Sequence, residues 1–332
     1  MPIGPVTNPP REINVAEPVS PALERVKRIL FRPFDVGKWF IIGFCAWLAQ
    51  LGEGGGGGNF NFNNFGQHHG YQDNFRQGLA RARDYVLDNL DWIVPLAAVL
   101  VVVGLALWLV FLWLNSRGKF MFLHCVALDK AEVAEPWRQF GNQANSLFLF
   151  RLVLGLVAMV CTLPLLVLTI LIVARMFLAG HLIPNAILSA IGFGLLFFGL
   201  AIVFAIIRKL TLDFVVPIMF LRRNRCLSAW KELGNLISGH VGTFILYFLF
   251  QIVLAIAIGV IVLGAVIITC CIAGCLMMLP YLGTVLLLPV LMFKRCYSLY
   301  FLAQFGRDYD VFPPESPRQP GGAAGQVPAM GH

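Results

Sequence analysis

Five long stretches of the chain contain no Asp, Glu, Lys, Arg or His, and this feature constrains the fold more than any other. A helix needs about 18–25 apolar residues to cross about 30 Å of hydrocarbon, since each residue adds about 1.5 Å. The five stretches meet that length, so each is predicted to form a membrane-spanning helix. They are residues 93–114, 152–174, 186–207, 241–268 and 276–293.

A sixth apolar run, residues 36–52, is shorter. Its uninterrupted part extends only from Trp39 to Leu51, so it spans a membrane only if the Lys38 ammonium group reaches the interface along its methylene chain. In the whole chain 58% of residues are hydrophobic and 13% are charged, against about 25% charged in an ordinary soluble domain. This balance leaves too few polar side chains to cover a water-facing surface and excludes a soluble globular enzyme.

The distribution of basic residues decides whether run 36–52 spans the membrane. If it does, 20 of the 25 Lys and Arg fall in cytoplasmic segments and four fall outside, with Arg151 at a membrane boundary and counted on neither side. If the run is re-entrant, the division becomes 10 inside and 14 outside, which violates the positive-inside rule. We therefore predict an all-α membrane protein with six transmembrane helices and both termini in the cytoplasm. The predicted spans are about 36–52, 93–114, 147–174, 186–207, 241–268 and 276–293.

The composition also predicts the flanking regions. Residues 1–21 and 306–332 are rich in Pro or in Pro and Gly, and both are predicted to be disordered tails. Between them, residues 22–305 form the membrane domain. Residues 53–74 begin with a run of five glycines and continue with Asn and Phe, which predicts a flexible, adhesive outer loop.

Two basic segments, residues 22–32 and 222–231, are candidates for contact with lipid headgroups. The first runs from Ala22 to Arg32, with apolar side chains at 23, 26 and 30 on one helical face and basic side chains on the other, as in a helix that lies in the headgroup plane. Each cation near the surface attracts anionic lipid by about 1 kcal/mol. The alternative is that these charges only orient the protein in the membrane. The predicted contacts are Arg25, Lys27, Arg28, Arg32, Arg222, Arg223, Arg225 and Lys231.

An internal repeat relates two of the predicted cytoplasmic segments, which lie 93 residues apart. Each has the pattern Trp, basic, polar or acidic, apolar, Gly, Asn. We expect the Trp to lie at headgroup depth and the Gly-Asn pair to end a short interfacial helix. Since Lys38-Trp39 occupies the corresponding place before the first span, the pattern predicts three helical hairpins in the same orientation. The repeated positions are Trp137, Gly141, Asn142, Trp230, Gly234 and Asn235.

The segment from Arg28 to Phe44, Arg-Ile-Leu-Phe-Arg-Pro-Phe-Asp-Val-Gly-Lys-Trp-Phe-Ile-Ile-Gly-Phe, is followed by the glycine run. With it, most of residues 22–305 resembles an uncharacterised family of bacterial multi-pass membrane proteins. The repeated plan of a surface helix followed by a hairpin is also similar to the membrane region fused to some glycerophosphodiester phosphodiesterases. The resemblance implies a location in the bacterial inner membrane and a multi-pass helical fold. It implies no catalytic residues, because the phosphodiesterase barrel has no counterpart in this chain.

No signature of catalysis, cofactor binding or metal binding occurs in the sequence. His68 and His69 are adjacent but have no third ligand at a suitable spacing. Gln251 is the one strongly polar side chain midway along a predicted span, and an interhelical hydrogen bond is favoured over a substrate contact. Ala201 and Ala205 are expected to allow close helix packing.

Three cysteines at the predicted outer turn between the last two spans, Cys270, Cys271 and Cys275, either form a disulfide or serve as small packing residues.

The sequence therefore favours a non-enzymatic membrane protein that acts as a scaffold or accessory subunit and organises envelope proteins or lipids. Loop 53–74 and the two tails are its expected contact elements. The alternative is a carrier or channel for a lipid or a small apolar solute, and a weaker one is an enzyme acting on lipid headgroups. The expected partners are membrane lipids, including anionic headgroups, and a membrane protein or a second copy of the chain. Nucleic acid and cofactors are not expected.

Overall fold

A computed structural model describes residues 13–32, 34–51, 88–179, 184–269 and 279–312. Within these residues the chain forms helices and no strands, as the all-α prediction requires. Several predictions fall outside the described residues and stay predictions. They concern loop 53–74, His68, His69, Cys270, Cys271, Cys275 and the outer parts of both tails.

Eleven α-helices, one π-helix and one 3-10 helix make up the described part of the chain. The α-helices are α1 (Val19–Phe31), α2 (Val36–Gln50), α3 (Leu90–Leu128), α4 (Ala134–Gln139), α5 (Gly141–Ala179), α6 (Pro184–Leu210), α7 (Val216–Arg222), α8 (Cys226–Gly239), α9 (Val241–Ile268), α10 (Pro280–Leu286) and α11 (Leu288–Ala303). The π-helix covers Thr211–Val215 and joins α6 to α7, and the 3-10 helix covers Arg307–Tyr309.

Four helical segments are long and apolar enough to cross a membrane, namely Asp91–Leu128, Gly141–Arg175, Leu188–Arg222 and Val241–Ile268. They contain four of the six predicted spans. The structure therefore shows a polytopic architecture with four candidate spans, and it does not establish six.

The other two predicted spans form shorter helices. α2 has 15 residues. The described part of the last run, residues 279–293, does not form one continuous helix, because α10 and α11 meet at Leu287. Pro289 at the start of α11 explains the break, since proline lacks an amide proton and disfavours a helical conformation at the residue before it.

The buried core lies at one end of the long helices, and we call this end the base. Ring stacking organises it. Phe140 stacks between Phe120 and Phe220, with ring centroids 5.8 and 4.7 Å away. A second group centres on Phe214, whose ring lies 5.0 Å from that of Tyr247. Because each buried aromatic ring contributes about 1.5–3 kcal/mol of burial energy, these clusters hold the helix ends together.

Away from the base, the long helices present apolar surface that the described chain does not cover. In the most apolar 18-residue window of three candidate spans no residue is buried, and in Val241–Ile268 only 6% of the window is. Side chains such as Val101, Val160 and Leu195 are more than 65% exposed. Such surfaces are suited to contact with lipid chains.

The short helix α2 packs against α3 and α10, and side-chain hydrogen bonds stabilise both of its ends. Asp35 begins α2 and accepts hydrogen bonds at Oδ1 from the amides of Gly37 and Lys38, at 2.8 and 3.3 Å. At the other end, the buried Asn115 side chain of α3 donates to the carbonyl oxygens of Ala49 and Leu51, at 2.9 and 2.8 Å. Asn115 therefore satisfies carbonyls that a helix C-terminus leaves without internal partners.

Parts of both predicted tails are ordered. Helix α1 begins at Val19, and Val15 is buried with its carbonyl oxygen accepting a hydrogen bond from Tyr297 Oη at 2.9 Å. At the other end Val311 and Phe312 are buried, although they belong to the predicted tail 306–332. The prediction rested on the Pro-rich composition of these segments, which does not indicate that a few apolar residues in them pack against the core. Within the two predicted tails, residues 13–21 and 306–312 are therefore ordered.

The two repeated segments fold differently. In the first, α4 ends at Gln139, the chain turns at Phe140, and Gly141 and Asn142 are the first residues of α5, so the pair begins the next helix and does not end α4. In the second, Gly234 and Asn235 lie inside α8, which continues to Gly239, so the prediction that they end a helix is wrong. The two segments differ because α8 is longer than α4. Its buried face from Cys226 to Leu233 supports a helix that continues past Gly234 and Asn235.

Replacing Gly118 with Ala should destabilise the protein, because α2 and α3 meet at this glycine. A Cβ atom at Gly118 would lie 2.5 Å from the Leu48 carbonyl carbon and 2.6 Å from the Ala49 amide nitrogen. Such overpacking costs about 1–3 kcal/mol, which corresponds to a loss of about 3–8 °C in Tm. Thermal unfolding of the detergent-solubilised protein measures this.

Gly104 on the same helix is the matched control, because a Cβ there meets no atom within 4 Å. The Gly104→Ala variant should unfold at or above the wild-type Tm. Equal Tm values for the two variants would show that α2 does not contact α3 at Gly118.

Candidate functional site

The basic residues predicted to contact lipid on α1 divide into two groups. Lys27, Arg28 and Arg32 are exposed, whereas Arg25 is 8% exposed and lies on the buried face with Ala22 and Val26. The predicted faces of α1 are therefore wrong at two positions, since Leu23 is also exposed.

Arg25 is buried because it has partners inside the protein. Its Nη2 donates to the carbonyl oxygens of Ala127 and Val126 at the end of α3, at 2.8 and 3.4 Å. Its guanidinium also lies 4.6 Å from the centroid of the Phe312 ring. A cation at a helix C-terminus is favourable electrostatically, so Arg25 joins α1, α3 and the C-terminal segment.

The second predicted group is also divided. Arg222 Nε forms an ion pair with Glu232 at 2.6 Å, and Arg223 lies 4.3 Å from the centroid of the Phe140 ring. These two contacts tie α7 and its C-terminus to α8 and to the α4–α5 turn. Arg225 and Lys231 are exposed. Arg222 and Arg223 are exposed as well, so their contacts within the protein distinguish them from Arg225 and Lys231 and their exposure does not.

The two repeated tryptophans are partly buried against the base. The Trp137 ring lies 4.7 Å from the Arg117 guanidinium, and its centroid lies 5.7 Å from that of Trp113. Trp230 packs against Phe150, with centroids 5.9 Å apart. Both rings therefore contribute to packing, and their depth in a membrane stays a prediction.

A group of basic side chains that the sequence analysis did not single out surrounds a cleft beside the base. We call it the basic cleft, and it has a volume of about 300 Å³. Its charged lining comes from three regions of the chain, because α3, the α6–π-helix junction and α11 each supply cations, while α2 supplies apolar residues and Gln50. The charged residues are Lys119, Arg208, Lys209, Asp213, Lys294 and Arg295.

The π-helix positions the one acidic residue of the basic cleft. Asp213 Oδ2 accepts from Lys209 Nζ at 2.9 Å and from Tyr247 Oη at 3.0 Å. Next to it, Arg295 Nη1 donates to the Leu212 carbonyl oxygen at 2.6 Å. π-helical turns are uncommon and occur frequently at functional sites.

Gln251 extends this polar network toward the membrane. Its Nε2 donates to Tyr247 Oη at 2.9 Å, and Tyr247 in turn donates to Asp213. The first partner therefore lies on the same helix, four residues earlier, and not on another helix as predicted. The connection between helices is made one step later, through Tyr247.

A larger apolar cleft of about 760 Å³ lies between α3, α5 and α6. Small side chains leave room there, among them Gly155, Ala158, Ala201 and Ala205. The sequence analysis expected Ala201 and Ala205 to bring helices into close contact, whereas the structure places them in the wall of an open space. Trp108, Phe197 and Phe204 provide aromatic surface for an apolar group.

The two clefts share three lining residues, Arg208, Lys209 and Leu212, so they adjoin at the end of α6. Arg151 lines the apolar cleft and bonds to the side chains of Asn115 and Ser116. The two clefts therefore lie side by side, the apolar one between the long helices and the basic one beside the base.

Positive charge is in excess in the basic cleft, with five cations and one carboxylate. Arg208 and Lys294 form no ion pair with another described residue. Burial, with repulsion from Lys209, lowers the pKa of Lys294. Burial lowers the pKa of Arg295 to about 10, which still leaves it charged at neutral pH. Cations in a partly desolvated site are costly unless an anion accompanies them.

The sequence offered one signal for this cleft. Arg208-Lys209 and Lys294-Arg295 are adjacent pairs, and each follows directly after a predicted span. The positive-inside rule accounts for such pairs without any binding site, so the sequence alone did not distinguish them from ordinary topology signals.

Long apolar helices, a packed base and a cleft between the spans define a multi-pass membrane protein. The chain belongs to a family of unknown function, DUF7544, whose model matches residues 13–288. This agrees with the resemblance to an uncharacterised family. No curated protein and no solved structure matches the chain. The similarity to the membrane region of glycerophosphodiester phosphodiesterases therefore gains no support.

Replacing Arg25 with Met should lower stability, because the end of α3 loses two hydrogen bonds from a buried cation. A loss of about 2 kcal/mol or more is expected. Lys27→Met is the matched control, and as an exposed substitution it should change stability by about 0.5 kcal/mol or less. Chemical denaturation in detergent measures both. Unchanged stability of the Arg25 variant would show that Arg25 does not hold the base together.

Proposed function

We propose that this protein binds an anionic lipid across the adjoining basic and apolar clefts, as a lipid carrier or lipid-organising protein without catalytic activity. The observation that carries the proposal is the junction of the two clefts at Arg208, Lys209 and Leu212. An amphiphile has the same division into a charged end and an apolar end. This function corresponds to the alternative that the sequence left open.

The apolar cleft suits an acyl chain. It lies between candidate spans, where lipid chains are the surrounding solvent. Its aromatic and small side chains bury apolar groups without a hydrogen-bonding requirement, and burial contributes about 0.8 kcal/mol per methylene group. A soluble anion would leave this part of the space without a function.

The basic cleft suits an acidic headgroup. Guanidinium and ammonium groups bind phosphate oxygens by charge-assisted hydrogen bonds. Arg208 and Lys294 lack an ion-pair partner among the described residues, so they bind a headgroup without first breaking an ion pair.

The proposed setting is the bacterial inner membrane, with six spans and both termini in the cytoplasm. α2 and the α10–α11 segment would be the first and sixth spans. The charge distribution supports this orientation, because the base then faces the cytoplasm with most of the Lys and Arg. The basic cleft would then lie at the level of the cytoplasmic headgroups.

A scaffold role, which the sequence favoured, rests on loop 53–74 and the tails. The loop and the outer parts of the tails lie outside the described residues. The described residues support lipid binding more directly, and protein partners stay a prediction.

The proposal predicts that protein purified in mild detergent retains anionic lipid and that the Arg208→Ala/Lys294→Ala variant loses it. At about 1 kcal/mol per charge, removing two cations should weaken binding by about tenfold or more. Native mass spectrometry after titration with phosphatidylglycerol measures the bound fraction. Free glycerol 3-phosphate is a second probe, and it should bind far more weakly because it has no chain for the apolar cleft.

The Lys130→Ala/Arg138→Ala variant is the matched control, since it removes two exposed cations that line neither cleft and belong to neither predicted headgroup-binding segment. It should bind lipid as the wild type does. Equal losses in the two double variants would show that binding reflects general surface charge and would contradict the proposed site. Equal binding of glycerol 3-phosphate and lipid would contradict the role of the apolar cleft.

A further inference from the structure

We propose that the headgroup bound in the basic cleft carries a hydroxyl group beside its phosphate and that Asp213 recognises this hydroxyl. The proposal rests on the proposed function, and it adds the chemical class of lipid. Its basis is the placement of one carboxylate among five cations. A site that bound only a phosphate would gain affinity from having no carboxylate at all.

Asp213 has one oxygen engaged by the protein and one that is not. The contacts from Lys209 Nζ and Tyr247 Oη both reach Oδ2, at 2.9 and 3.0 Å. Among the described residues, none donates a hydrogen bond to Oδ1. The side chain is 14% exposed and lines the basic cleft, so a ligand in the cleft can reach it. A carboxylate oxygen in such a place accepts a hydrogen bond and donates none.

The surrounding network fixes Asp213 in position. Tyr247 is fully buried and is held by Gln251, while Arg295 bonds to the neighbouring Leu212 carbonyl oxygen. The carboxylate is therefore oriented from two helices. A group oriented in this way discriminates between ligands more strongly than a mobile surface side chain, because little ordering is required on binding.

Asp213 could accept a hydrogen bond from a ligand ammonium group or from a ligand hydroxyl group. The charges around Asp213 decide between these two donors. A ligand ammonium group would lie near Lys209, Lys294 and Arg295, and like charges at short range repel. Lys209, Asp213 and Lys294 all line the same cleft of about 300 Å³. A neutral hydroxyl avoids this repulsion and still donates to Oδ1. The favoured ligand is thus an anionic phosphodiester lipid with a hydroxyl-bearing headgroup, such as a glycerol or a sugar.

A matched pair of lipids tests the hydroxyl directly. Phosphatidylglycerol and phosphatidylpropanol carry the same single negative charge and differ in the headgroup hydroxyls. We expect the wild-type protein to bind phosphatidylglycerol about tenfold more tightly, as one hydrogen bond to a charged group allows. Phosphatidylethanolamine should bind more weakly than both. Titration of the purified full chain, followed by native mass spectrometry, measures the three affinities.

Two variants assign the preference to Asp213. Asp213→Ala removes the acceptor, so the affinity ratio between phosphatidylglycerol and phosphatidylpropanol should fall to about one, while its electrostatic effect cancels in the ratio. Asp213→Asn keeps one acceptor oxygen, which the Lys209 and Tyr247 donors hold, so the ratio should fall in this variant too. Because the lipid pair is also compared on the wild-type protein, the test does not depend on the stability of either variant.

The outcomes separate this inference from the proposed function. If both anionic lipids bind the wild-type protein equally, the hydroxyl recognition is refuted and lipid binding stands. If neither binds, the proposed function fails as well. Tightest binding of phosphatidylethanolamine would overturn the inference, because Asp213 would then recognise an ammonium group. An unchanged ratio in Asp213→Ala would place the recognition elsewhere.

Discussion

The packed base is the feature on which the rest of the structure depends. In a membrane the apolar halves of helices gain little from contact with one another, since lipid chains are equally apolar. Along most of their length the candidate spans are accordingly uncovered by the described chain. Aromatic packing around Phe140 and Phe214 provides the tertiary contacts that the spans themselves do not. The spans leave the base at fixed positions, and the apolar cleft is a consequence of that arrangement.

Two buried helix ends at the base find hydrogen-bond partners within the protein. Arg25 bonds to the last carbonyls of α3, and Asn115 bonds to those of α2. These contacts resolve the same problem, because buried helix ends leave carbonyl groups without partners. The basic cleft is different, since its cations exceed its acidic groups and two of them have no ion-pair partner among the described residues. This contrast is the reason for assigning a ligand to the cleft.

The sequence predicted the long spans well because length and apolarity alone define them. The prediction for 241–268 coincides with α9. The sequence predicted less well where proline or tertiary contact determines the structure. The last run divides into α10 and α11 near Pro289. Arg25 lies on the buried face of α1, although its charge suggested the exposed face. The cleft was beyond sequence reasoning, because Lys119, Arg208 and Lys294 come from distant helices that only the folded base brings together.

The central claim is that a lipid occupies the space between α3, α5 and α6 with its headgroup in the basic cleft. The most direct measurement is a cryo-electron microscopy structure of the full chain in nanodiscs that contain phosphatidylglycerol. The account predicts density for an acyl chain in the apolar cleft and for a phosphate within about 4 Å of the Arg208 and Lys294 side chains. A map in which α3, α5 and α6 close on one another, or in which lipid lies only on the outer helix surfaces, would contradict it.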